Sequence, residues 1–179
     1  MQAELTTEGV TAVEMLDVVD GCNQVVGQAS RAEVHRRGLK HRAVHMLIED
    51  PRGRLYLQRR AEHKDCDAGL WDTSAAGHVD AGEDYPTAAL RELGEELGLT
   101  DVSLTPLCEL PALAATGEEF VQVYRGCTSR EPHPDPREIA AGGWWSQAEI
   151  VAWMTREPAS FTATFKLIFA RFQAPGTEA

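Results

Sequence analysis

Three glutamates, Glu92, Glu95 and Glu96, fall at i, i+3 and i+4 in a segment whose leucines repeat at helical spacing. On a helix those carboxylates share one side, next to a stripe made by Leu90, Leu93 and Leu97. Burying the leucines against a sheet would hold the backbone still and aim the carboxylates into the space beside it. Three close carboxylates repel one another, which raises their pKa values and destabilises the helix. A hard divalent cation removes that conflict. Mg²⁺ or Mn²⁺ suits oxygen ligands, and Mg²⁺ is readily completed by substrate phosphates. The cluster therefore reads as a cup for one or more metals that grip a diphosphate, although the same pattern alone also fits a solvated helix face.

The elements that must position it can be read from turn and cap signals. Asp84 is placed to N-cap the helix, Pro86 lies in its first turn and Gly98 ends it. Met15–Asp20 and Gln24–Gln28 read as a hairpin across Gly21-Cys22-Asn23, and Ser30 caps a short helical turn through Arg36. A Val/Met/Leu/Ile-rich strand, His41–Glu49, meets a turn at Asp50-Pro51-Arg52-Gly53 and pairs with an alternating strand, Arg54–Arg60. Ala61–Gly69 is a polar loop, and Trp71–Asp80 leads as an extended segment into the helix. Val102–Ala114, Glu119–Gly126 and Gly143–Trp145 read as further strands, with a proline-rich loop at Arg130–Arg137. Ser146 caps a helix through Arg156, and Phe161–Phe172 forms a last helix with a phenylalanine stripe directed to the core. The order implies one α+β or three-layer α/β/α domain over residues 13–179, preceded by a loose tail at 1–12.

Composition narrows the function. Seventeen Lys and Arg against 28 Asp and Glu give a net charge of −11, which disfavours sequence-independent binding to long nucleic acid. A small anionic substrate neutralised by metal is compatible with it. Cys22, Cys66, Cys108 and Cys127 form no CxxC pair and read as reduced, mostly packed thiols. No stretch approaches the ~18 apolar residues of a membrane helix, and no signal peptide is evident, so a soluble cytoplasmic protein is expected.

The segment from Gly77 to Leu99, GHVDAGEDYPTAALRELGEELGL, resembles the Nudix box at every fixed position: Gly77, Glu83, Arg91, Glu92, Leu93, Glu95, Glu96, Gly98 and Leu99. With each fixed residue at a frequency of about 5–7%, a chance match is roughly one in a billion per start position. The resemblance implies a loop–helix–loop on a mixed-sheet α/β/α sandwich. It implies Glu92, Glu95 and Glu96 as ligands of Mg²⁺ or Mn²⁺, with the carbonyl of Ala76 or Gly77 as a further ligand. Glu83 and Arg91 are implied as a pair orienting loop and helix, with phosphate contact an alternative for Arg91. The implied reaction is hydrolysis of a P–O–P bond in a small molecule, in particular a nucleoside diphosphate derivative, by water attack on phosphorus. Glu96 or Glu95 could accept the water proton, as could a downstream acid, Glu138, Glu119 or Glu118. Arg59, Arg60 and Lys64 are candidates for holding the outer phosphate, with His41, Arg42 and His45 open to the same reading. A homodimer is compatible with the resemblance.

The flanking residues are similar to a second branch of the superfamily, the isopentenyl-diphosphate isomerases: Leu57–Lys64, Gly69–Ser74, Gly77-His78, and His35 with His41. That branch holds a metal with three histidines and two glutamates, and His35, His41, His78 and Glu119 could supply part of such a set. It also uses a cysteine before the Gly-His pair, where this chain has Ala75 and Ala76. The expectation is hydrolase chemistry on an isomerase-like scaffold; the alternatives are an isomerase and a non-catalytic nucleotide-sensing module.

Overall fold

The computed structural model describes residues 13–174; the tail expected at 1–12 lies outside them. A two-stranded antiparallel ribbon, β1 (Met15–Val19) and β2 (Val25–Ser30), leads into a short helix, α1 (Arg31–Arg37). Ser30 caps α1 by accepting from the Glu33 N–H. The main sheet holds β3 (His41–Glu49), β4 (Leu55–Arg60), β5 (Trp71–Asp72), β6 (Ala75–His78), β7 (Thr105–Leu110), β8 (Glu119–Cys127) and β9 (Ile139–Trp145). It is mixed: β3 and β8 run parallel, and the other pairs are antiparallel.

The pairing of β3 positions everything else. The expected β3–β4 hairpin forms, but the strands share one register pair, Glu49↔Leu55. β4 then diverges to pair with β9 and β5, and β6 takes its place along Ala43–Met46. A gap opens in the sheet between β4 and β6. The segment Trp71–Asp80, read as one extended stretch, is accordingly two short strands on different partners.

Helices cover both faces. α2 (Tyr85–Leu97) packs over Val44, Met46 and Ile48. α3 (Gln147–Arg156) and α4 (Ala163–Gln173) cover Leu47, Leu55 and Leu57 on the other. Phe161, Phe165 and Phe169 stack in succession within this second layer, and full burial of each contributes about 1.5–3 kcal/mol. Phe161 precedes α4, whose cap is Thr162.

Two expectations need correction. Leu90 is 48% exposed, and the buried stripe of α2 is Ala88, Ala89, Leu93 and Leu97; the alanines let the helix lie close to the sheet. The cysteines are free thiols as expected but are not packed: Cys22, Cys66 and Cys127 are exposed and Cys108 is half-buried.

Candidate active site

α2 is held at both ends. Asp84 accepts from the Thr87 N–H, and Gly98 takes the left-handed conformation at φ 66°. Its carboxylates line a cleft of about 1670 Å³ that runs past the gap between β4 and β6. Glu96 is only 6% exposed. Its Oε2 accepts from the Gln58 side chain and the Ala76 N–H, each at 3.1 Å, so the two rims of the gap grip one carboxylate. Burial, and then the charge of Glu92, push the Glu96 pKa up to about 8 against these two bonds. Burial also raises that of Glu92, although Arg91 donates to it at 2.7 Å. Gly77 lies directly against this residue: a Cβ there would overlap the Glu92 carboxyl. Glu95 lies at the rim, 65% exposed and 3.5 Å from Arg91.

Arg91 ties the loop to the helix. It donates to both oxygens of Glu83, at 3.1 and 2.9 Å, and to the His78 carbonyl at 3.0 Å.

A second cluster borders the same cleft. His35, His41 and His78 bring ring nitrogens within 4.8 Å of one another. His41 donates from Nδ1 to the Leu39 carbonyl at 2.9 Å, which turns Nε2 inward. That Nε2 is the one buried side-chain nitrogen or oxygen among the described residues without a hydrogen-bond partner, 3.5 Å from Glu119. His78 lies between Glu14 at 2.9 Å and Glu119 at 3.5 Å. Burial alone would lower the His78 pKa, but the two carboxylates raise it to about 9. Burial would likewise raise that of Glu119, yet His41 and His78 hold it well below the usual carboxylate range.

The remaining predicted residues divide. Arg60 and Lys64 line the cleft, and Lys64 is ion-paired with Glu138, also on its wall. Arg59 shares the other face of β4 with Leu57 and pairs with Glu62 at 3.4 Å, away from the cleft. Glu118 is bonded to Lys40 and Glu119 belongs to the histidine cluster. Sequence reasoning did not single out Gln58 or Glu14. Gln58 carried one signal, a polar residue in a strand of alternating character; Glu14, 64 residues before its partner, carried none.

A domain model described as NUDIX domain matches residues 39–165. This chain belongs to the Nudix family. Within the family, an uncharacterized Nudix hydrolase of Streptomyces coelicolor is 47% identical over 143 residues, 78% of each chain. An isopentenyl-diphosphate Delta-isomerase of Serratia proteamaculans is 36% identical over 160 residues, 87% of this chain and 89% of that one. Among solved structures, DR0079 of Deinococcus radiodurans superposes with a TM-score of 0.78 at 28% identity, covering 88% of this chain and 98% of its own. The Nudix sandwich with its mixed sheet and loop–helix–loop is thus the fold. No helix among the described residues is long and apolar enough to cross a membrane.

Proposed function

We propose that this Nudix protein hydrolyses the diphosphate linkage of a small molecule, such as a nucleoside diphosphate derivative, by attack of water on phosphorus. The observation that carries the reading is the pair Glu92 and Glu96 at the gap, two inward carboxylates whose pKa values burial raises, that of Glu96 further raised by the charge of Glu92. Such a donor set fits Mg²⁺ or Mn²⁺. Glu92, Glu95 and Glu96 would hold the cation, with the carbonyl of Ala76 or Gly77. When bound, it supplies charge neutralisation for the diphosphate and acidifies the attacking water.

The chain's own groups do the rest. Gln58 and the Ala76 N–H fix Glu96 by one oxygen; Oε1 has no partner among the described residues and is the atom open to the cation or, with another acid holding the cation, to the water proton. Arg91 and Glu83 keep loop and helix in register. Lys64 and Arg60 offer positive charge on the wall for the outer phosphate. In a screen of diphosphates with Mg²⁺ or Mn²⁺, the wild type should release phosphate or a monophosphate, and Glu96→Gln should lose about 10²–10³-fold in kcat. Equal turnover by both proteins would overturn the assignment.

One observation favours a second reading. The histidine cluster with Glu119 is suited to a metal, since the bare Nε2 of His41 is a buried donor atom without a partner, and relatives such as the Serratia protein are isomerases. Ala75 and Ala76 precede Gly77-His78, so a thiol is missing from one side of any proton transfer at carbon. Uptake of solvent deuterium into an isoprenoid diphosphate would establish the isomerase instead.

A further inference from the structure

Outside both clusters, a third group of buried polar residues faces the cleft. Alternation along β3 puts His45 on the same face as His41 and Ala43, and its register partner is Ala76, whose N–H holds Glu96. His45 is 5% exposed yet contributes to the cleft wall.

Its tautomer follows from its neighbours. Nδ1 lies 2.8 Å from the Thr73 hydroxyl oxygen, and that hydroxyl donates its own proton to the Ala75 carbonyl at 3.2 Å. The Thr73 oxygen therefore accepts and Nδ1 carries a proton, so that in the neutral ring Nε2 carries a lone pair. Asp72, 3.7 Å from Nδ1, favours the same arrangement. Thr73 and Asp72 are buried, so the ring is rigidly held. Nε2 is bonded to no described residue, and His45 belongs to neither group of His, Cys, Asp and Glu side chains close enough to share a metal.

A lone pair at this depth is badly matched to phosphate oxygens, which at neutral pH are chiefly acceptors. The cations on the cleft wall are Arg31, Arg60, Lys64, Arg91 and Arg137, and none of them is bonded to His45. The carboxylates near His45 are Asp72 and Glu119, with Asp67 of the 61–69 loop close to Asp72. Resting on the hydrolase reading, we propose that His45 reads the organic part of the diphosphate by accepting a hydrogen bond from one of its hydroxyl groups, so that the substrate class is a hydroxylated diphosphate. An alkyl group in the same position would strip water from Nε2 and leave it unpaired, and that asymmetry is how polar sites reject analogues lacking a hydroxyl.

The test uses n-butyl diphosphate and its 2-, 3- and 4-hydroxy derivatives, with Mg²⁺ and phosphate release as the readout. In the wild type the best hydroxybutyl isomer should exceed butyl by about tenfold or more in kcat/KM. In His45→Leu the ratio should fall to within about twofold, and His45→Gln, which keeps an acceptor, should retain part of it. A wild-type ratio near one, or the same ratio in His45→Leu, overturns the proposal. Turnover of other diphosphates but none of the butyl set also counts against it alone. Absence of turnover on every diphosphate sinks the hydrolase reading and this one with it. Should His45→Leu not fold, ¹⁵N imidazole spectra of the wild type decide. Nε2 must show the unprotonated signal and shift with the hydroxybutyl probe but not with butyl, and a protonated Nε2 refutes the assignment.

Discussion

On α2, burial and the charge of Glu92 push Glu96 up to about 8; at the start of β3, His41 and His78 hold Glu119 well below the carboxylate range. Both carboxylates border one cleft, Glu96 buried and Glu119 half-buried, and what differs is the sign of their neighbours. Glu119 has basic rings around it and His78 has acids, so the histidine cluster balances its charge internally. Glu96 has neutral donors and another acid. The first arrangement adds to folding and the second subtracts from it, a cost that the proposed cation would relieve. Function at the acidic cluster is therefore bought with stability.

The largest expected effect tests that cost. Glu96 binds its proton more tightly folded than unfolded, so stability contributed by the acid form is present at low pH and lost as pH rises from about 4.5 toward 8. In metal-free protein, Glu96→Gln should leave stability unchanged near pH 4.5 and raise it by about 2–4 kcal/mol above pH 8. Denaturant titrations at the two pH values would show it, and a destabilised variant at high pH breaks the contrast. Next in size, His35→Ala removes one ring of the histidine cluster. Co²⁺ affinity measured by calorimetry should fall about 10–100-fold; unchanged affinity would make the cluster a hydrogen-bonded trio and nothing more. The smallest effect belongs to the Lys64–Glu138 pair, which is partly exposed. Lys64→Ala should change unfolding free energy by less than about 1 kcal/mol, while raising KM for a diphosphate.

How much of this was legible in the sequence depended on the range of the interaction. α2 could be read end to end, because Asp84, Pro86 and Gly98 act within a turn of their own positions. The pairing of Arg91 with Glu83 came from the box resemblance, and the fold brings the two into contact. Leu90 misled because a stripe judged by leucines overlooks Ala88 and Ala89, which let the helix approach the sheet. The turn at Asp50–Gly53 announced two adjacent strands but could not announce that they part after one pair, since that depends on β6 and β9 arriving from elsewhere. Gln58 and Glu14 became visible only in three dimensions, as partners of residues 38 and 64 positions away. The cysteines were assigned to the interior on residue type alone, and nothing in their local sequence corrected that.

The parting of β3 and β4 has a mechanical corollary. The aperture beside Glu96 is framed by main chain, with β6 anchored on β3 and β4 anchored on β9, and not by loops that can swing. Its dimensions should persist through substitutions of the residues that border it. Variation at positions such as Ala76, Gln58 or His45 would then retune which molecule is welcomed while leaving the doorway the same width.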